Sequence, residues 1–303
     1  MFKKFIVSKD YQDSRFDRWF KQNISNVPQS LIEKLIRKKK IKINKKKVKT
    51  SYRVQLNDVV ELYGAGDLKP NNKSKKEKYK PSEKEKSKYG KFIIENNDNF
   101  IVINKPSGIP VQAGTKSFKN IIDILRNTKY FEYTKPFVVH RLDKETSGVM
   151  IVAKNRKYAQ LFTSLFRLRK IQKVYLAIVV GEIEKNKGTL TDTLYHYEGI
   201  KKIYTKAVTH FKVLDSNSRY SLLELHPVTG RKHQLRKQLL IRGCPILGDS
   251  KYRMHKNYSN KKETLMLHAY KINFSIADTK YSFSADVPTT FKKVLKEKYL
   301  KIF

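Results

Sequence analysis

Apolar residues recur along the chain at two different periods, and the switch between them marks the predicted elements. Near the start, Phe16, Trp19 and Phe20 share helical spacing behind Ser14, which predicts a helix capped by that serine. Pro28 opens a second helix, PQSLIEKLIRKKK, in which Leu31, Ile32, Leu35 and Ile36 form one apolar stripe. Cations crowd its last turn at 37–40, where they suit the helix dipole. The alternating run IKIN and the short runs VQL and VVELY then read as strands. Beyond residue 91, strands are predicted at FIIEN, FIVIN, VMIVAK, VYLAIVVG, AVTHFKVL, YSLLELH and YSFSADV, with helices around 119–126, 158–167, 233–242 and 290–298. Several neighbouring strands have no helix between them. The expected class is therefore α+β, with a mainly antiparallel mixed sheet preceded by a small α/β domain.

Between these regions, GAGDLKPNNKSKKEKYKPSEKEKSKYG (64–90) nearly lacks aliphatic residues and is dense in Lys, Glu, Ser, Pro and Gly. Such a segment cannot offset its ordering entropy, so it reads as a flexible basic linker between a module at 1–63 and a larger one at 91–303. No internal repeat is visible.

The length of 303 residues allows roughly two domains. The single cysteine, Cys244, excludes an internal disulfide framework and any cysteine-rich zinc site. The longest apolar run, 175–180, is far shorter than the roughly 20 residues a spanning helix needs. Asp10, Asp13 and Asp17 are unlike a signal or transit peptide, so a soluble cytoplasmic protein without a membrane partner is expected. Charge changes the picture more: 66 Lys and Arg against 27 Asp and Glu leave a net +39. That excess attracts polyanions, of which nucleic acid is the commonest large one in cells, although AT-rich coding would also enrich Lys, Asn and Ile.

A search for familiar sites is mostly negative. There is no Gly-rich phosphate loop with Lys-Ser/Thr, no HExxH, no paired CxxC and no dinucleotide fingerprint, so neither a metal nor a nucleotide cofactor is expected. His196, His226 and His233 read individually as hydrogen-bonding residues. What remains is VVHRLDKETSGVMIVAKN (138–155), which sets Asp143 at the tip of a turn between two apolar runs. By itself this is also the pattern of an Asx-turn or cap. Two further segments bear on it. KVYLAIVVGE puts Tyr175 at the head of an apolar strand. HPVTGRKHQLRKQL puts Arg231, His233 and Arg236 at the start of a helix, where Leu235 and Leu239 would turn the Arg236 guanidinium inward, toward an anion.

HRLDKETSGVMIVAKN, KVYLA, TGRKHQLR, INKPSGIPVQAGT and LMLHA, in that company, resemble the RluA-type pseudouridine synthases from about residue 92 to residue 287. The small module, over 14–63, is similar to the S4 domain, an RNA-binding fold first named in a small-subunit ribosomal protein. With the VQAGT variant after NKPSG, the chain looks most like the RluC branch, which acts on large-subunit ribosomal RNA. Two departures are visible: Lys232 stands where Ser or Thr is more usual, and TKAVT lacks a proline often found there.

The resemblance implies a cofactor-free isomerase, monomeric, that acts on uridines of ribosomal RNA, free or in assembling particles. It assigns Asp143 as a nucleophile attacking either carbon 6 of uracil or the anomeric carbon of the ribose. Arg236 would pair with that aspartate and keep it ionised. Tyr175 would pack on the target base and assist at carbon 5. Arg141 would stack on, or bond to, the bases left behind when the nucleotide is extruded, with a phosphate clamp as its alternative role. His140 would support the turn. RNA contacts are expected from Arg231 and His233 and, in the small module, from Arg15, Lys34, Arg37, Lys38 and Lys39. A non-catalytic RNA-binding factor and a nucleoside hydrolase are the competing classes; the second would need another acidic group, and none is evident.

Overall fold

The computed structural model divides into the units Met1–Glu77, built on one hydrophobic cluster, and Lys78–Phe303, built on three. The structure describes residues 2–64, 68, 79–113, 118–198, 201–254 and 264–302. In the first unit the order is β1 (Phe2–Ile6), α1 (Phe16–Asn23), α2 (Gln29–Arg37), β2 (Ile41–Ile43) and β3 (Val59–Tyr63), with β3 central in an antiparallel sheet. Phe16, Trp19 and Phe20 of α1 pack with Ile32 and Ile36 of α2, as their spacing predicts. Ser14 is not the cap: Arg15 holds that position without a side-chain bond, and the Asp17 carboxylate accepts the Arg18 N–H in the first turn. The run VQL stays out of the sheet because Val54 exchanges backbone bonds with Asp13 and Ser14 instead. β1 was not foreseen, since its FKKFI pattern leaves most of the strand exposed.

The predicted flexible linker ends earlier than its composition suggests. Residues 65–67 and 69–78 lie outside the described residues, but Glu83–Gly90 form a helix, α3. Ser82 and Glu85 close a reciprocal capping box at its start. Tyr79 donates to Glu85, Lys119 pairs with the same carboxylate, and Tyr89 is buried against Ile101 and Ile103. Two tyrosines thus supply the burial that a scan for aliphatic residues misses.

The larger unit continues with β4 (Ile93–Asn96), β5 (Phe100–Lys105), α4 (Ile121–Arg126), β6 (Phe137–Val138), β7 (Ser147–Ala153), α5 (Arg156–Arg167), β8 (Gln172–Val180), β9 (Lys187–Glu198), β10 (Lys201–Ser216), β11 (Tyr220–Pro227), α6 (Gln234–Ile241), β12 (Leu267–Ile276), β13 (Thr279–Ser284) and α7 (Thr289–Glu297). The sheet runs β4-β5-β7-β12-β8-β11-β10-β9, with β6 also on β7 and β13 also on β12. Every pairing is antiparallel except β12 with β7, so the mainly antiparallel α+β expectation holds. β9 and β12 were not predicted. β9 alternates polar residues around only two buried leucines, Leu190 and Leu194, and β12 breaks its apolar pattern with a fully buried His268.

β7 is buried along its whole length: Met150 and Val152 join the cluster that includes α4, whereas Val149, Ile151 and Ala153 join the one that includes α5. Covered on both faces, the central strand reads as a continuous apolar run. The register then has a consequence for the site. Leu225 pairs with Tyr175, Tyr175 with Ala269, Ala269 with Gly148, and Gly148 with Lys105. Motifs far apart in sequence therefore lie on one line across the sheet. The line closes tightly at Gly148, whose φ of +113° suits glycine and where a Cβ would stand 2.1 Å from the Ala269 carbonyl oxygen.

Candidate active site

A cavity of about 620 Å³ opens where this line meets the loop of Asp143 and the start of α6. Its size falls within the range of small-ligand sites. Arg141, Arg167, Arg169, Lys173, Arg231, Lys232 and Arg236 line it, and Asp143 is the one acidic side chain among the lining residues.

The Asp143 loop is braced from below. The buried Lys105 ammonium donates to the carbonyls of Pro106 (2.9 Å), Ile109 (2.9 Å) and Lys144 (3.1 Å), which ties the KPSGI turn to the residue after Asp143. Burial pushes this lysine down to about 7, with Glu145 and then Asp143 opposing the shift. Ser107 donates to the Glu145 carbonyl at 2.6 Å. On the other flank, His140 accepts the Ile151 N–H at 2.9 Å through Nε2 and stacks on Phe166 at 4.5 Å between centroids. Burial drives His140 down to about 3, with Lys173 adding to the effect, so the ring is neutral. It serves the support role expected of it. β6 is only two residues long, so side chains and turns hold the tip more than a long strand pair does.

The Asp143 carboxylate lies 3.5 Å from Arg236 Nη1 and 3.6 Å from His233 Nε2. At those separations charge, rather than short hydrogen bonds, couples the groups. Arg236 comes inward as the flanking leucines suggested, but its close partner is Asp249, bound bidentately at 2.7 Å through Nε and 2.7 Å through Nη2. Asp249 also accepts the backbone N–H groups of Lys251 and Tyr252. Burial would raise its carboxyl, but the Arg236 bonds and these N–H groups outweigh that and keep it below its ordinary value. Arg236 is thus fixed by one buried carboxylate while Nη1 reaches toward the less buried carboxylate of Asp143.

His233 adopts a left-handed backbone at the start of α6 and sets Nδ1 2.8 Å from the Tyr252 hydroxyl. Burial lowers its pKa, Asp143 opposes this, and Arg236, Lys251 and Lys232 add to the lowering, which leaves it neutral near pH 7. Tyr252 also places its ring 5.1 Å from the Arg236 guanidinium carbon. The preceding loop is shaped by Gln234, whose carbonyl oxygen accepts from Thr229 (2.7 Å) and the Arg231 N–H (3.0 Å) and whose amide donates to Val208 (3.1 Å). Tyr175 lines the cavity half-buried, and burial, then Asp143, raises its phenol far above the ordinary tyrosine value. At neutral pH it is a protonated ring, fit to pack on a ligand or donate a hydrogen bond, and closed as a base.

The larger unit compares with proteins of one kind. A family model described as RNA pseudouridylate synthase matches residues 99–240, and an S4 domain model matches residues 26–60. "Ribosomal large subunit pseudouridine synthase C" of Buchnera aphidicola subsp. Baizongia pistaciae is 32% identical over 96% of this chain and 95% of its own. The protein of that name from Rickettsia felis is 34% identical over 86% of this chain and 88% of its own. The chain belongs to the RNA pseudouridylate synthase family. Among solved structures, human RNA Pseudouridylate Synthase Domain Containing 4 superposes on the synthase with a TM-score of 0.63 at 28% identity, covering 72% of this chain and 96% of that one.

The fold of the synthase brings Asp143, Tyr175, Arg236, Arg141, Arg231 and His233 to one cavity. Arg141 is exposed on its rim, and Arg231 donates through Nε to the Lys206 carbonyl at 3.2 Å. Arg15, Lys34, Arg37, Lys38 and Lys39 belong to the S4 unit and are not part of this cavity. Arg37, Lys38 and Lys39 sit exposed at the end of α2, with Lys34 exposed within it, whereas Arg15 is engaged with Asp17 at 2.6 Å. Of the loop motif INKPSGIPVQAGT, Gly114 and Thr115 lie outside the described residues. Sequence reasoning missed Asp249, Tyr252, Gln234 and Lys105 as builders of the site, and Arg167, Arg169 and Lys173 on its wall. The cation run LFRLRKIQK pointed to the last group; nothing in GDSKY alone singles out Asp249.

Proposed function

We propose that this synthase isomerises specific uridines of large-subunit ribosomal RNA to pseudouridine, with Asp143 as the nucleophile and the target nucleotide flipped into the cavity. The names of the relatives supply the substrate class. The observation that carries the mechanism is a lone carboxylate in a cationic cavity, within 3.6 Å of both a fixed guanidinium and a neutral imidazole. Seven cations around one acid suit a polyanionic ligand, and the protonated Tyr175 ring suits a planar one.

In this reading the Asp143 carboxylate adds to carbon 6 of the ring or to the anomeric carbon, and the bond between N1 and the ribose breaks. The freed ring turns, carbon 5 bonds to the anomeric carbon and loses its proton, N1 gains one, and the carboxylate is released. Atoms and electrons balance without a redox cofactor or group donor. Arg236, held by Asp249, positions and stabilises the anion, and Arg141 on the rim braces the strand that the nucleotide leaves. The S4 unit adds RNA affinity through the basic end of α2.

Asp143→Asn is expected to abolish product while RNA affinity stays within about threefold, because a neutral isostere removes the reacting charge and little contact area. Carbodiimide primer extension on ribosomal RNA reads the product. Persistent pseudouridine overturns the assignment, and release of free uracil would point to hydrolysis instead.

A further inference from the structure

Outside the cavity, the β9–β10 hairpin carries aromatic rings with no core to fill. The register pairs Tyr195 with Tyr204 and Tyr197 with Lys202. Since side chains alternate along a strand, these four residues share one face. Tyr195, Tyr197 and Tyr204 are 47%, 65% and 60% exposed. The Tyr195 ring lies 6.0 Å from that of Tyr197 and 6.2 Å from that of Tyr204. Lys202 Nζ stands 4.2 Å from the Tyr195 centroid and 5.1 Å from that of Tyr204. Next on the same face come Thr193 and Lys206, both exposed and polar, so the aromatic group is an island rather than part of a broad apolar patch.

This island is continuous with the cavity rim. Lys237 of α6 donates to the Tyr195 carbonyl at 2.9 Å and stands 5.4 Å from its ring, and Arg231 reaches the Lys206 carbonyl. We propose that Tyr195, Tyr197, Lys202 and Tyr204 form a stacking platform for unpaired nucleobases adjoining the target nucleotide. The proposal rests on the reading that RNA occupies the cavity. Exposed rings offer every base a face, and the ammonium groups beside them meet the phosphates between. A protein partner docking by apolar burial would instead call for exposed aliphatic neighbours, whereas the residues paired next to the rings on this face are Lys202, Thr193 and Lys206.

The test is fluorescence anisotropy with a labelled mixed-sequence RNA of about 12 nucleotides, single-stranded or annealed to its complement. Tyr197→Ala with Tyr204→Ala should weaken single-strand binding about tenfold or more and leave duplex binding within about twofold, while the corresponding Phe pair should stay within about twofold on both. Both positions are exposed, so thermal midpoints of the variants should match the parent and serve as the folding control. Equal losses on single strand and duplex would assign the face to phosphate contacts; equal losses in the Ala and Phe pairs would assign it to hydroxyl bonds; no loss would remove RNA from this face. Each of these overturns the platform. Binding is read without turnover, so a parent protein that binds RNA as expected yet makes no pseudouridine would sink the catalytic reading alone.

Discussion

Arg236 is held from behind, and this separates two roles that the sequence ran together. Its short bonds go to Asp249, whose side chain is fully buried, and its longer reach goes to Asp143. Asp249→Asn should therefore lower kcat about tenfold or more with little change in KM. It should also lower stability by several kcal/mol, in line with the roughly 3–5 kcal/mol for breaking a buried pair. Steady-state kinetics and thermal unfolding check both; an unchanged kcat would show that Asp143 alone holds the guanidinium. Two imidazoles, one half-buried and one fully buried, set the response to acid. His140 accepts from Ile151, and His268 sits between the Ser147 hydroxyl and the Ala285 carbonyl, with folded pKa values of about 3 and about 4. Both lie below the free value of 6.5, so from about pH 6.5 down toward 4 the unfolded chain binds protons that the folded one does not. Stability is expected to fall over that window by up to about 1.4 kcal/mol per pH unit for each histidine. Urea midpoints between pH 7 and 4.5 should show the slope, and His140→Gln, whose amide oxygen accepts without titrating, should flatten it. Asp143, Tyr175 and Arg236 could be singled out because their motifs are local; Asp249 could not, because it lies in the loop after α6, 13 residues beyond Arg236, and only the fold brings the two together.

Among the elements, β7 and the loop before it carry the greatest constraint. Its apolar run was legible at once, and so was the turn that presents Asp143, but the reason for a glycine after Thr146 and Ser147 was not. Gly148 faces the Ala269 carbonyl across the parallel β7–β12 contact, a pairing that no local pattern announces. Gly148→Ala should destabilise the protein by about 3 kcal/mol or more, since a positive-φ alanine is strained by roughly 1–3 kcal/mol and the strands must also part. Denaturant titration reads this, and a variant within about 1 kcal/mol of the parent would contradict the close approach. The helices followed their periodicity, whereas α3 and β12 were hidden by polar residues whose partners are distant: Glu85 with Lys119, and His268 with Ser147.

Across the whole molecule, the excess of basic residues behind the +39 charge includes both the arginines and lysines that line the cavity and the exposed basic helix end of the S4 unit. A chain beginning at Lys78 should bind ribosomal RNA more weakly and with a shallower dependence of log Kd on log salt. Its rate on a saturating short substrate should stay within about threefold. A salt series compares the two chains; identical slopes would remove the S4 unit from binding. Composition pointed to a break at 64–90, and within that stretch the tyrosines at 79 and 89 pack with the larger unit. The line from Leu225 through Tyr175, Ala269 and Gly148 to Lys105 also limits which changes of length the chain can absorb. One residue inserted within β8 ahead of Tyr175 would send the phenol to the opposite side of the sheet, and two would restore its side but carry it roughly 6–7 Å away. Insertions are absorbed where strands have ended, so any lengthening of this enzyme belongs in its turns.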